Sequence, residues 1–240
     1  MTSIMFSAYF NHVNTLLRAI ALCQRSQKAM QVKEGLDSKL LIPEELIEKH
    51  YCNQLPAGFG ELLENNGSGL DCVDNHSPSL ITAYLPNVLN WLHEMEIPRV
   101  FEENPCSIPV LLYEEKLSTD HLLFHYDGTP ASGDLIRNFI ALFQNNIKGS
   151  KATIISPSFI PKSKMREEQE LIQLVSENTH ETSFIKFNFT RIGDFWSYAV
   201  KHHCTMLVTS KYYQADLAKV LFHFYKGGMW YKNLSFYLSY

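Results

Sequence analysis

No stretch of this 240-residue sequence approaches the roughly 18 consecutive apolar residues that a membrane-spanning helix needs. Nor is there a basic tract. The 21 Lys and Arg stand against 25 Asp and Glu, a formal charge of −4, so nothing points to nucleic acid or an anionic membrane surface. The five cysteines, Cys23, Cys52, Cys72, Cys106 and Cys204, are scattered, odd in number and without a C-x-x-C pair. That pattern argues against a disulfide framework and a cysteine metal site, and it reads as reduced thiols in the cytosol. The opening MTSIMFSAYFNHVNTLL has no basic region ahead of its apolar residues, and Asn11, His12 and Asn14 interrupt it, so no secretory signal is expected. The expectation is a cytoplasmic protein with neither nucleic acid nor membrane as a partner.

What is present is apolar and aromatic: 45% hydrophobic residues and 12% aromatic ones, ample for packed cores. The most informative stretch is Thr119 to Phe143, TDHLLFHYDGTPASGDLIRNFIALF. His121 to Tyr126 suits a buried strand. Asp127-Gly128-Thr129-Pro130 supplies turn chemistry, since Gly tolerates positive φ and Pro bars strand continuation. Asp134 is the expected N-cap of a helix whose apolar side is Leu135, Ile136, Phe139, Ile140 and Phe143. The result is strand, loop, helix, and in an open α/β sheet a ligand sits at the strand's carboxyl end.

Earlier in the chain, Ser3 to Phe10, Lys28 to Lys33, Leu70 to Val73 and Leu80 to Leu85 read as strands, and Val13 to Gln24 and Asn87 to Met95 as helices. Pro43 followed by EELIEKHYC predicts another helix, with proline at its first position and glutamates at the positive end of its dipole. Ile108 to Tyr113 (IPVLLY) is a strand flanked by Pro105 and Pro109. Beyond the central stretch the periodicity sharpens. Lys151 to Ser156, Phe184 to Phe189, Thr205 to Thr209 and Leu234 to Tyr240 read as strands. Between them lie helices over Ser163 to Ser176, Asp194 to His203 and Ala215 to Tyr225, with Gly227-Gly228 ending the last. Strict alternation of strand and helix calls for a parallel sheet with helices on both faces. Both halves open on strand then helix and close on a strand, IPVLLY and LSFYLSY. A degenerate repeat of about 120 residues, with its boundary near Glu115 to Ser118, accounts for this order.

LLFHYDGTPASGDLIRNFIALF resembles the opening of a universal stress protein, in which the first strand ends in Asp-Gly-Ser/Thr, a small residue and Ser. NPCSIPVLLYEE, from Asn104 to Glu115, resembles that family's closing strand. A closing strand followed about ten residues later by an opening strand is what a tandem, UspA-like chain shows. The resemblance implies an α/β fold of two similar open parallel-sheet sandwiches, of the adenine nucleotide alpha hydrolase-like type. Residues 1–115 form the degenerate copy and 119–240 the second, paired within the chain about a pseudo-twofold with their closing strands near the contact.

In one subclass of the family the first-strand Asp faces an adenine nucleotide, and glycines after the fourth strand wrap its phosphates. The first feature maps onto Asp127. The second falls where this chain has Ser210-Lys211-Tyr212-Tyr213, with no glycine before Gly227. Backbone amides approach phosphate where no Cβ intervenes, so ATP or another adenine nucleotide is disfavoured and no cofactor is expected. The candidate ligand-binding residues are Asp127, Gly128, Ile155, Ser156, Ser210 and Lys211. Asp127 also reads as an ordinary turn residue bonding nearby amides. No catalytic residues and no metal ligands are expected. His202-His203-Cys204 reads as a helix end, and His121 and His125 as packing on one strand face. The functional expectation is a non-enzymatic, stress-response-type binding or signalling protein with an unidentified protein partner and homodimerisation left open. The alternatives are a nucleotide-binding enzyme using Asp127 and the Ser156 loop, or a structural dimerisation module.

Overall fold

The computed structural model describes residues 42–50, 80–94, 108–115, 117–226 and 233–240, all within the larger of its two units, residues 38–240. The strands expected at Ser3 to Phe10, Lys28 to Lys33 and Leu70 to Val73, and the helix at Val13 to Gln24, lie outside these residues. The described strands are β1 (Ile47–His50), β2 (Leu80–Tyr84), β3 (Val110–Tyr113), β4 (His121–His125), β5 (Lys151–Ser156), β6 (Glu181–Lys186), β7 (Met206–Ser210) and β8 (Ser235–Ser239). The helices are α1 (Leu85–His93), α2 (Pro130–Phe143), α3 (Met165–Asn178), α4 (Ile192–Lys201) and α5 (Gln214–Lys226). No helix among the described residues is long and apolar enough to cross a membrane.

The fold is α/β, with one eight-stranded, mostly parallel sheet in the order β1-β2-β3-β8-β7-β4-β5-β6. From β6 to β8 every neighbouring pair is parallel, as the alternation of strand and helix predicts. The expected pair of separate sheets is corrected. The closing strands β3 and β8 pair antiparallel, Leu111 opposite Tyr237, and fuse both sets of strands into one sheet. Each closing strand otherwise carries a row of unpaired N–H and C=O groups, and pairing edge to edge satisfies both rows at once.

Strand side chains alternate between faces, and each face buries its own core. On one face Leu123, Ile155, Leu207 and Phe236 meet Leu89 of α1, Phe195 and Trp196 of α4 and Leu221 of α5. The Trp196 ring lies stacked between Phe224 at 5.4 Å and Phe236 at 5.9 Å. On the other face Phe124, Ile154, Val208 and Tyr237 meet Leu135, Phe139 and Phe143 of α2 and Leu171 and Val175 of α3. Burying one such phenylalanine stabilises the fold by about 2–3 kcal/mol. The reversal from the α2–α3 face to the α4–α5 face falls at β4, whose neighbours are β5 and β7.

Two local expectations are also corrected. The segment after Pro43 is a single 3-10 turn, Glu44–Leu46, followed by β1, rather than a helix. Its pairing with β2, reinforced by His50 Nε2 and Thr82 Oγ1 at 2.9 Å, outweighs the weak preference of a short isolated helix. Helix α2 is capped by Thr129, not Asp134. The Thr129 hydroxyl accepts from Ser132 N at 3.2 Å, and Pro130 takes the first helical position, where its missing N–H costs nothing.

Candidate functional site

The strand order places a switch point between β4 and β7, where successive connections leave in opposite directions and the loops part. Of the sequence-derived candidates, Asp127 and Gly128 follow β4, Ile155 and Ser156 end β5, Ser210 ends β7, and Lys211 begins the turn beyond it.

The Asp127 loop is self-contained. Its carboxylate Oδ1 accepts from Thr129 N at 2.9 Å and from Thr129 Oγ1 at 2.6 Å, while Asp127 N donates to Ser132 Oγ at 3.3 Å. Burial works to raise the Asp127 pKa, but hydrogen bonds from Ser132 and Thr129 outweigh it and leave the carboxyl below its ordinary value. Gly128 has φ +82°, which glycine adopts without strain. A Cβ there would sit 3.6 Å from Ile160, which folds across from the loop after β5.

At the switch point the space is occupied by rings. His125 is buried, with Nδ1 3.1 Å from Thr209 Oγ1. Its ring centroid lies 4.2 Å from Phe195 and 4.8 Å from Tyr213. Burial drives its pKa down to about 4, so the imidazole is neutral near pH 7. Tyr213 rides on the 3-10 turn Lys211–Tyr213, which Ser210 opens by accepting from Tyr212 N at 3.2 Å. Burial raises the Tyr213 pKa, and the nearby Asp127 charge raises it further. Lys211 turns the other way. It is 1% exposed, its Nζ donates to the Ile108 carbonyl at the start of β3, and it stands 5.8 Å from the Tyr240 ring. The structure thus brings Asp127, Gly128 and the end of β5 to one side, and sends Lys211 to the β3/β8 seam.

A polar cluster that sequence reasoning missed lies on the α2–α3 face. Tyr126 N donates to Ile155 O at 3.0 Å, which continues the β4/β5 register and sets Tyr126 beside Ser156; Ser156 in turn pairs with Lys186. Ser156 Oγ donates to Glu168 Oε1 at 2.5 Å, and Lys186 Nζ donates to the same oxygen at 2.5 Å and to Ser156 Oγ at 3.2 Å. Ser156 and Glu168 are buried. The serine proton is therefore directed at a carboxylate already neutralised by lysine, which holds β5, β6 and α3 together and does not activate the hydroxyl as a nucleophile. One signal was available: Glu168 shares a helical face with Leu171 and Val175, at spacings of three and seven, and that face is buried.

His121 Nε2 lies 3.1 Å from Thr153 Oγ1, and His202 stacks on Tyr198 at 4.1 Å. Among the described residues no group of three or more His, Cys, Asp and Glu is arranged to hold a metal ion.

No protein-family model matches the chain, and no curated protein matches it. Among solved structures, the crystal structure of protein Rv1636 from Mycobacterium tuberculosis H37Rv aligns over 38% of this chain and 69% of that one, at 12% identity and a TM-score of 0.29. A likeness that slight carries no inference.

Proposed function

We propose that this chain is a non-enzymatic binding or signalling protein of the stress-response type, acting through an unidentified protein partner and holding no adenine nucleotide through a glycine-rich loop. The observation that carries this reading is Tyr213, which stands beside His125 at the switch point on the very turn where phosphate-binding glycines would have to lie. A nucleotide's phosphates need amide donors, a helix N-terminus or cations. Asp127 Oδ1 is engaged by its own turn, and Lys211 is committed to the Ile108 carbonyl. Absence of enzymatic activity draws support from Ser156, whose hydroxyl is buried and bonded to Glu168 rather than to a free base. The stress-response character rests on the resemblance of the central stretch and the closing strand to universal stress proteins.

Calorimetric titration with ATP, ADP and AMP tests the reading. Affinities no tighter than about millimolar are expected, since among the described residues Tyr213 stands where amide donors would meet the phosphates and Lys211 donates to the Ile108 carbonyl. Low-micromolar binding that Asp127→Ala abolishes would overturn it and favour the nucleotide-binding enzyme instead.

A further inference from the structure

Strand β6 closes one side of the sheet, and among the described residues it pairs with β5 alone. Within a strand the N–H and C=O of one residue point to one side and those of the next to the other. Phe187 N donates to Ser156 O at 2.9 Å, so the odd-numbered residues bond inward to β5. The backbone groups of Thr182, Phe184 and Lys186 therefore face away from the sheet. Natural sheets blunt such an edge with a proline or a bulge. Glu181–Lys186 contains no proline, and its register against β5 runs unbroken from Lys151 opposite Glu181 to Ser156 opposite Lys186. The strip continues into apolar surface. Phe187 is 43% exposed and Phe159 87% exposed, and Ser158 N donates to Asn188 Oδ1 at 2.8 Å, which joins the two loops that carry them. Its two ends also differ in charge. Lys151 balances Glu181 and Glu168 balances Lys186, which leaves exposed Glu177 at the start of β6 and exposed Arg191 beyond its finish.

We propose that β6 is the strand through which two copies of this chain pair, antiparallel about a twofold axis, so that the sheet of one copy runs on into the other. Such an axis stands perpendicular to the sheet and keeps its faces continuous, so each β6 residue lies opposite one of the same parity. The register centred on Phe184 uses every outward group. Phe184 faces its own counterpart and Thr182 faces Lys186 of the other copy, each pair exchanging both N–H···O bonds. Phe187 then lies opposite Glu181 of the other copy, which covers its exposed ring. The same arrangement brings the Glu177 end of each copy to the Arg191 end of the other, whereas a parallel pairing sets like ends together. The edge is complementary to itself in backbone, in apolar surface and in charge, and a second copy is the occupant that matches all of these.

Light scattering of the full chain at about 50 μM tests the proposal, and a mass twice that of the chain is expected. Thr182→Pro removes an outward N–H and leaves the ladder to β5 its bonds. It should weaken the dimer about tenfold or more while the circular dichroism spectrum stays that of wild type. A monomeric wild type overturns the proposal and leaves the edge to a protein of another sequence. A dimer that the folded variant keeps at full strength overturns it too, because the contact then lies elsewhere. Should the variant not fold, amide hydrogen exchange of the wild-type chain at the same concentration decides. Exchange at Thr182, Phe184 and Lys186 at least about tenfold slower than in a free peptide supports the pairing, and exchange at the free-peptide rate refutes it.

Discussion

Two strand-helix-strand units meet at the β3/β8 seam, and they are built alike but furnished differently. In one, β2 leads through α1 to a parallel β3; in the other, β7 leads through α5 to a parallel β8, and α1 and α5 share a face of the sheet. The first passes straight from Tyr84 into α1, with no side-chain cap at the junction. The second interposes Ser210 and a 3-10 turn that carries Lys211 and Tyr213. Among the described residues, the polar groups at the strand ends of the second half include the Asp127 loop, the His125–Thr209 pair and the Ser156–Glu168–Lys186 cluster. The difference teaches that the connectivity supplies an architecture and leaves the chemistry to the residues at strand ends. It also shows one unit serving the other, because Lys211 crosses the seam to reach the Ile108 carbonyl.

The seam itself is the place to break the comparison, and the largest effect is expected there. Leu111 is fully buried opposite Tyr237. Leu111→Asp places a carboxylate with no cation in a desolvated ladder, and a loss of about 4 kcal/mol or more is expected. Urea unfolding would show it as a large drop in midpoint. An unchanged midpoint would mean that the units do not fold as one sheet.

The second prediction sharpens the contrast in polar furnishing. His125 has its pKa pushed down to about 4 by burial, against an ordinary 6.5. As the pH falls below about 6.5 the unfolded chain takes up a proton that the folded ring refuses, so stability is full above that value and declines toward about pH 4, by about 3 kcal/mol in all. His125→Leu should flatten that part of the wild-type pH–stability curve. If the variant falls as steeply as wild type over this window, the buried ring is not its source.

The strands of the second half were legible because each is a short apolar run bounded by proline, glycine or a charged helix, and β4, β5 and β7 lie within a residue of their expected bounds. Strand β6 begins three residues before the expected Phe184, at Glu181, whose exposed carboxylate pairs with Lys151 at 2.9 Å. Local polarity hid that edge. The β1 segment misled for another reason: Pro43 and two glutamates are genuine helix-start signals, and only pairing with β2, over thirty residues away, overrides them. The site was legible in part. Asp127 and Gly128 were visible as turn chemistry, but the direction taken by Lys211 depends on where β3 lies. Glu168 and Lys186 come from different elements and read locally as solvated charges. Their proximity to Ser156 is a property of the sheet register.

The smallest effect concerns a group that the polar cluster leaves out. Tyr126 is 1% exposed, and its hydroxyl has no hydrogen-bond partner among the described residues, although it stands at the end of β4 beside the Ser156 cluster. Burial, with Glu167, Glu168 and Asp127 nearby, raises its pKa to about 12, so the phenol is neutral and offers a proton that nothing accepts. A buried hydroxyl without a partner carries its desolvation cost and returns nothing for it. Tyr126→Phe keeps the ring against Phe124 and α2 and removes only that cost, so the variant should be as stable as wild type or more stable by up to about 1 kcal/mol. The equivalent change at a bonded hydroxyl loses about that much. A variant less stable by about 1 kcal/mol would reveal a water or ligand that accepts from Tyr126, and with it a polar occupant of the cluster on the α2–α3 face.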